Sequence, residues 1–355
     1  MNNEPTKAGR LQLRYTSGMT LREACLQASS LLSEEGVSEP RSNAELLLMH
    51  LLDLGRAELL RDWGEPMPPE SWERWTESIA RKAAGEPVQY ITGEQWFYGL
   101  PFHVEPGVLI PRPETELLVE AVLEAADVLW PDAADAGGAG GWIEPLRQAD
   151  AEEGSGRIGK GAVAEAPTVL DVGAGSGAIA VTLAAQRHAW RVYASDLSED
   201  ALRVARTNAA RHGAGARVTF VQGDLLGPFM ALRPGQSGGV ARRGIAGLRA
   251  DILVSNPPYI PARELAHLQR EVRDYEPRLA LDGGADGLEP YRRMLEQLPG
   301  LAALPRIVAF ELGIGQAREV AGLLQEFSVW TDIRIIRDYA GIERHVMAVD
   351  SRERP

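Results

Sequence analysis

Two short stretches of the chain combine residue types at a spacing that suits group transfer. The first is Asp171-Val172-Gly173-Ala174-Gly175-Ser176-Gly177, between a strand-like and a helix-like run. Glycines let a backbone approach a ligand closely, and a strand-to-helix turn aims free helix amides at it. Nineteen residues past Gly177, a second strand-like run ends in Asp196, where a carboxylate can accept hydrogen bonds from two ribose hydroxyls. The second stretch is Asn256-Pro257-Pro258-Tyr259, directly after a third strand-like run, Asp251–Ser255. Two prolines stiffen that loop and supply no backbone donors. Asn256 offers a side-chain carbonyl, Pro257 a backbone carbonyl and Tyr259 a flat ring. Such a set suits a planar, conjugated –NH2 group, held by two acceptors and stacked on one face.

The glycine spacing narrows the cofactor. A dinucleotide fingerprint is G-x-G-x-x-G, and here the third glycine arrives one residue early. Asp171 also precedes the first glycine by two positions, where pyrophosphate would be repelled and a cationic amino group welcomed. S-adenosylmethionine carries both an ammonium and a sulfonium, so it is the expected cofactor. Transfer to such an –NH2 nitrogen would then be an in-line displacement, with positioning supplying most of the rate. Asn256, Pro257 and Tyr259 are the expected catalytic residues, and Asn256 through Tyr259 the expected substrate site.

The elements around these motifs alternate. Thr168–Val172, Arg191–Ser195, Val218–Val221 and Asp251–Ser255 read as strands, and Ala178–Gln186 and Ala201–His212 as helices. That order implies an α/β domain on a mostly parallel sheet. The first hundred residues instead read as a small helical bundle. Thr20-Leu-Arg-Glu23 and Ser42-Asn-Ala-Glu45 have capping-box spacing, and a third helix carries Trp72, Trp75, Ile79 and Ala83. Between the two, Tyr90 to Ile110 is aromatic and β-branched, broken by Gly93, Gly99 and Pro101, which predicts a hairpin linker. A long helix is expected from Pro113-Glu114 to Leu129, its first-turn acids Glu114 and Glu116 favouring the dipole. The expected domains are 15–89, a linker 90–110, and 111–355.

Two stretches interrupt the pattern. In 132–166, 17 of 35 residues are Gly or Ala, and 233–250 has five glycines, four arginines and no acid. Both are expected to be surface insertions, the second a solvated loop.

Composition removes whole classes of function. The chain has 355 residues, enough for two domains, with 45% hydrophobic and 25% charged residues, so collagen-like and disordered chains are excluded. The net charge of −13 argues against broad adhesion to nucleic acid. One cysteine, Cys25, lies in an apolar helical pattern and reads as a small core residue. Six histidines show no metal spacing, and no metal site is expected. No apolar run is long enough to span a membrane and no secretory leader is seen, so a cytoplasmic monomer is expected.

Taken together, the motifs resemble class I S-adenosylmethionine-dependent methyltransferases with an Asn-Pro-Pro-Tyr loop. Five further stretches narrow the resemblance: Phe97 to Val104, Val108 to Glu116, Leu279 to Leu288, Phe310-Glu-Leu-Gly-Ile-Gly-Gln316 and Asp338-Tyr-Ala-Gly-Ile-Glu-Arg344. These are similar to signatures of the peptide chain release factor N5-glutamine methyltransferases, over nearly the whole chain. The resemblance implies a Rossmann-like sheet with helices on both faces. It implies as substrate the glutamine of the Gly-Gly-Gln loop in class-1 release factors, docked by the N-terminal bundle. It also implies cofactor contacts from Gly173 to Gly177, Asp196, Asp224, Leu225 and Asn256. No direct nucleic-acid substrate is expected. Adenine's exocyclic amine is as planar as an amide, however, so a nucleic-acid amine or a ribosomal-protein glutamine remains the alternative acceptor.

Overall fold

The computed structural model describes residues 13–131, 166–231 and 245–352. The chain divides into two compact units, one running to Glu94 and taking in Leu268–Tyr275, the other comprising Gln95–His267 and the chain from Glu276 onward. The recruitment of Leu268–Tyr275 to the first unit has no counterpart in the sequence pattern.

The first unit is helical: α1 (Leu21–Glu34), α2 (Pro40–Leu52), α3 (Arg56–Arg61), α4 (Trp72–Ala83) and α5 (Val88–Thr92). The capping box of α1 is formed, with the Glu23 amide donating to Thr20 Oγ1 at 3.2 Å and the Thr20 amide to Glu23 Oε2 at 2.8 Å. The second expected box is not. Helix α2 starts at Pro40, so Ser42 lies inside its first turn and Glu45 pairs with Arg41 instead. Pro40 supplies an N-terminal residue with no amide to satisfy, which outcompetes a cap two residues later. Leu21, Cys25, Leu32, Leu47, Leu48, Trp75 and Ile79 form the core of this unit. Burial pushes the Cys25 thiol up to about 12, as suits an inert core residue. Lys82 is buried too, its ammonium donating to Glu271 Oε1 at 2.5 Å and to the Glu86 carbonyl at 3.2 Å. That pair explains how Leu268–Tyr275, with the short helix α9 (Arg270–Tyr275), is held in the helical unit.

The expected strand texture begins at Glu94 rather than Tyr90. Pro87 opens a helical turn, α5, and Gly93 ends it at φ +74°. The hairpin itself is β1 (Glu94–Phe97) and β2 (Leu100–His103). Its two-residue turn places both Tyr98 and Gly99 at positive φ, as the twist of a tight hairpin demands. The Tyr98 amide donates to Glu116 Oε1 at 2.9 Å, so Glu116 fastens the hairpin to α6 (Pro113–Leu129).

Among the described residues the second unit has seven strands: β3 (Thr168–Val172), β4 (Arg191–Asp196), β5 (Val218–Gln222), β6 (Ile252–Ser255), β7 (Ile307–Glu311), β8 (Asp332–Arg337) and β9 (Glu343–Val349). Their order is β5-β4-β3-β6-β7-β9-β8. The first five are parallel, and β9 runs antiparallel to both β7 and β8. Helices cover both faces, so the central strands are largely apolar rather than alternating. Every residue of β6 and β7 is buried. Side chains still sort by parity. Val169, Ile252 and Val254 pack with α6, α7 (Ala178–Gln186) and α8 (Glu199–Arg211). Leu170, Leu253 and Val308 pack with α10 (Glu289–Gln297) and α11 (Ala317–Gln325).

The strand order reverses between β3 and β6, whose neighbouring ends carry the two motifs. A crevice at such a switch point is where open α/β sheets bind ligands. The low-complexity stretches fall mostly outside the described residues. Residues 245–250, however, are not the solvated loop expected: Ile245 and Leu248 pack on the core below α10, and Ala250 is buried.

Candidate active site

A cavity of about 700 Å³ opens at the carboxyl ends of β3, β4 and β6, within the usual range for small-molecule sites. Gly173, Ala174, Gly175 and Ser176 line one side, Asp196, Asp224 and Leu225 another, and Asn256 and Pro258 a third. The two motifs read from the sequence therefore meet at one place.

The glycine loop is built for close approach. Gly173 and Gly175 sit at φ +81° and +54°, and a Cβ on Gly175 would meet nothing within 4 Å. Gly177 does not line the cavity. Its φ is +84° and a Cβ would stand 3.1 Å from that of Ala205, so its task is the packing of α7 against α8. Asn208 of α8 also reaches this loop, donating to the carbonyls of Ser176 and His103 at 2.9 Å each and accepting from the His103 amide at 2.7 Å. One carboxamide thus ties the glycine loop to the hairpin.

Asp171 also departs from expectation. Its carboxyl is fully buried and does not line the cavity; Oδ2 accepts from the Ala180 amide at 3.0 Å, and Oδ1 has no hydrogen-bond partner. Spacing places this residue at the end of β3, but the strand's pleat turns it under the first turn of α7. Burial, opposed by the Ala180 hydrogen bond, pushes the carboxyl up to about 7. The sign of its effect on stability follows. The folded state holds a proton that the unfolded chain has already lost, so this group lowers stability progressively from about pH 4 to about pH 7. Asp171→Asn keeps the acceptor for Ala180 and removes the charge. We therefore expect it to raise the unfolding temperature more at pH 7.5 than at pH 5, measured by thermal scans at both.

Asp196 lines the cavity at the end of β4. Oδ2 accepts from the Gly175 amide at 2.9 Å and Oδ1 from the Ser198 amide at 2.8 Å. A carboxylate has about four acceptor sites, so capacity remains for a hydroxyl group in the cavity. Burial raises its pKa, and the amides of Ser198, Gly175 and Leu197 pull it back. Asp224 pairs with Arg293 at the cavity's edge. Leu225 adopts φ +50°, which turns its carbonyl to accept from Ser195 Oγ at 3.2 Å.

The Asn-Pro-Pro-Tyr loop is gripped from outside. Ile260 and Asp282 form a parallel bridge: the Ile260 amide donates to the Leu281 carbonyl at 3.0 Å and the Gly283 amide to the Ile260 carbonyl at 2.9 Å. Gln316 clamps the loop's end, its amide donating to the Tyr259 carbonyl at 2.9 Å while Oε1 accepts from the Gly313 amide at 2.8 Å. The stretch 279–288 and the stretch 310–316 thus hold one loop between them.

Pro257 and Tyr259 do not line the cavity. Pro257 is buried. Tyr259 turns inward: its Cδ2 lies 3.2 Å from where a Cβ would stand on Gly313, and its ring packs on the core that α10 covers. Burial, reinforced by Glu311, raises its phenol pKa. The stacking face expected of Tyr259 is not part of this cavity's lining, and Gln316 holds the backbone that carries the ring.

Asn256 faces the cavity and has a partner behind it. Its Nδ2 donates to Thr115 Oγ1 at 3.1 Å, and Thr115 Oγ1 donates to Glu311 Oε2 at 2.6 Å. Thr115 and Arg112 line the cavity and were not expected there. Arg112 meets buried Glu276 at 2.5 Å, fixing the wall that precedes α6. Thr115, Glu311 and Gln316 all lie in stretches that carry the resemblance, which is the signal that could have found them.

The sequence has counterparts. Residues 23–93 match the family described as PrmC N-terminal domain, and residues 169–234 match a methyltransferase domain. The release factor glutamine methyltransferase of Moorella thermoacetica is 39% identical over 335 residues, covering 94% of this chain and 100% of that protein. That of Bacillus anthracis is 37% identical over 330 residues, 93% of this chain and 99% of that one. That of Chlorobaculum tepidum is 39% identical over 315 residues, 89% and 92% of the two chains. Agreement of this kind from the helical unit to the last strands shows that the chain belongs to the release factor glutamine methyltransferase family.

Proposed function

We propose that this chain transfers a methyl group from S-adenosylmethionine to the side-chain amide nitrogen of the glutamine in the Gly-Gly-Gln loop of class-1 release factors. The observation that carries the reading is the meeting of a nucleoside-sized cradle with an amide-holding loop in one cavity, in a chain whose relatives are named for this reaction. The residues fit the cofactor: a glycine wall open to close approach, a carboxylate with free acceptor sites, and Leu225 to pack on a base. When bound, the cofactor supplies a methyl group on a sulfonium.

The protein's part is positional. An amide nitrogen is a poor nucleophile because its lone pair is delocalised into the carbonyl. Asn256 Oδ1 would accept from the substrate amide, raising density on nitrogen and aiming it along the line of displacement. Held by Asn256, the amide nitrogen would take the methyl as the sulfonium's sulfur kept the C–S electron pair, and the proton would leave to water. No strong base is required, because the alkylated nitrogen is acidic. Tyr259 acts through the loop's shape rather than as a wall. The helical unit docks the body of the release factor, since one side chain gives little specificity. Among the described residues no helix is long and apolar enough to cross a membrane, and we place the enzyme in the cytoplasm with its substrate.

Two measurements test this. Methyl-labelled cofactor, offered in parallel to release factor, ribosomal proteins and nucleic acid, should label release factor; label in another acceptor alone would overturn the substrate. Asp196→Asn should weaken cofactor binding roughly tenfold by calorimetry, the loss of a charge-assisted hydrogen bond of about 1.5 kcal/mol or more. Unchanged affinity would remove Asp196 from the cofactor site.

A further inference from the structure

We infer that Thr115 and ionised Glu311 form a relay that fixes which face of the Asn256 carboxamide points into the cavity, so that both are positioning residues for the methyl acceptor. The inference rests on the glutamine reading above and names the groups that make its site selective.

An ionised carboxylate can only accept. At 2.6 Å from Glu311 Oε2, the single proton of Thr115 Oγ1 is therefore committed to Glu311. Thr115 is left with lone pairs alone toward Asn256, 3.1 Å away, and the carboxamide must present its –NH2 to it. The carbonyl Oδ1 then faces the cavity, where a substrate –NH2 needs an acceptor. Protonation of Glu311 reverses the chain. Its own proton would go to Thr115 Oγ1, the threonine hydroxyl would be free to donate, and Asn256 would gain by turning its carbonyl inward. An –NH2 would then confront the substrate's –NH2.

The surroundings of Glu311 make this polarity sensitive to pH. From α6 it is faced by Thr115 and Glu114, from β9 by Arg344 and His345, and from the loop after β6 by Asn256 and Tyr259. From α10 the Tyr291 hydroxyl donates to the Glu311 backbone carbonyl at 2.6 Å. Burial disfavours the charged form; the Thr115 and Asn256 hydrogen bonds and Arg344 favour it, and Glu114 opposes it, which leaves the carboxyl at about 7. His345, 3.9 Å away, is no counter-ion, because burial pushes it down to about 4.

The experiment is the pH profile of kcat at saturating cofactor and release factor for four chains: wild type, Thr115→Ser, Thr115→Val and Glu311→Gln. Wild type should lose activity about tenfold per pH unit below about pH 7. Thr115→Ser keeps the hydroxyl and should keep both rate and profile. Thr115→Val should lower kcat about tenfold, the value of one hydrogen bond, with the cofactor's dissociation constant unchanged. Glu311→Gln should abolish the acid limb. Asp171 titrates in the same range but acts on the cofactor loop, so its contribution appears in cofactor affinity and not in kcat at saturation. A second readout needs no substrate: the Asn256 side-chain amide resonances in a 1H–15N spectrum should titrate near pH 7 in wild type and not in Glu311→Gln. Full kcat in Thr115→Val, an intact acid limb in Glu311→Gln, or an Asn256 amide indifferent to Glu311 would each overturn the relay. Failure of wild type to label release factor would overturn the glutamine reading instead, with the amide titration still deciding the relay.

Discussion

Asn256→Ala should reduce kcat for methyl transfer roughly 100- to 1,000-fold, the range seen when one preorganised hydrogen-bonding group is removed from a reacting centre, while cofactor affinity moves far less. A primary amide has two hydrogens in one plane, and its lone pair becomes available only when both are held and the plane faces the methyl group. Asn256 lies at the cavity with its Nδ2 engaged by Thr115, which leaves its carbonyl as the side-chain acceptor there. Alanine removes that acceptor and leaves the amide free to rotate. The loss should fall on kcat, because the cradle of Gly173, Gly175 and Asp196 is untouched. Single-turnover transfer together with calorimetric cofactor binding checks both halves. Unchanged transfer would show that the loop does not hold the amide.

Gly287→Ala should be the most damaging small substitution outside the cavity wall. Gly287 sits at φ +81°, and a Cβ there would stand 2.2 Å from the Tyr259 carbonyl oxygen and 2.4 Å from Gln316 Nε2. Neither neighbour can give way cheaply, since the first is backbone and the second bonds it at 2.9 Å. The left-handed backbone alone costs about 1–2 kcal/mol for an L side chain, and breaking the clamp adds about 1 kcal/mol. We expect stability to fall by about 2–3 kcal/mol. Turnover should fall roughly 100-fold, as a misplacement near 1 Å can produce. Gly341→Ala is the control. Its φ is +79°, but a Cβ there meets nothing within 4 Å, so it should show the backbone cost and normal turnover. Chemical denaturation and initial-rate assays separate the two effects.

These cases show where sequence reading succeeds. The glycine loop, Asp196 and the Asn-Pro-Pro-Tyr loop are legible because each is a local device: a turn needing positive φ, an acid at a strand end, a stiffened acceptor loop. The parallel sheet is legible for a similar reason, since strand and helix periods are short. What was misplaced depends on direction. Asp171 and Tyr259 have the right neighbours in sequence, but the pleat of β3 and the pinning of the loop turn one under α7 and the other toward Gly313. What was missed depends on distance. Thr115 and Glu311 are 196 residues apart, and Asn256 stands 141 from Thr115, so no local pattern joins them. Only β7 lying beside β6, with α6 packed against β7, brings the three together.

The polarity of the site has a wider consequence. A carboxamide whose acceptor face is set by a buried carboxylate distinguishes a –NH2 from a carbonyl or carboxylate in the same position. Glutamate would present only acceptors to Asn256 Oδ1, leaving buried lone pairs opposed, a mismatch that hydrogen-bonding sites reject strongly. The expected discrimination thus comes from the atoms behind Asn256 as much as from Asn256 itself.

The most direct measurement is fragmentation mass spectrometry of class-1 release factor after reaction with S-adenosylmethionine and the 355-residue chain, beside a release factor whose Gly-Gly-Gln glutamine is replaced. The account predicts one added methyl on that glutamine's amide nitrogen and none anywhere in the replaced protein. A methyl on another residue, or equal methylation of the replaced protein, would contradict it.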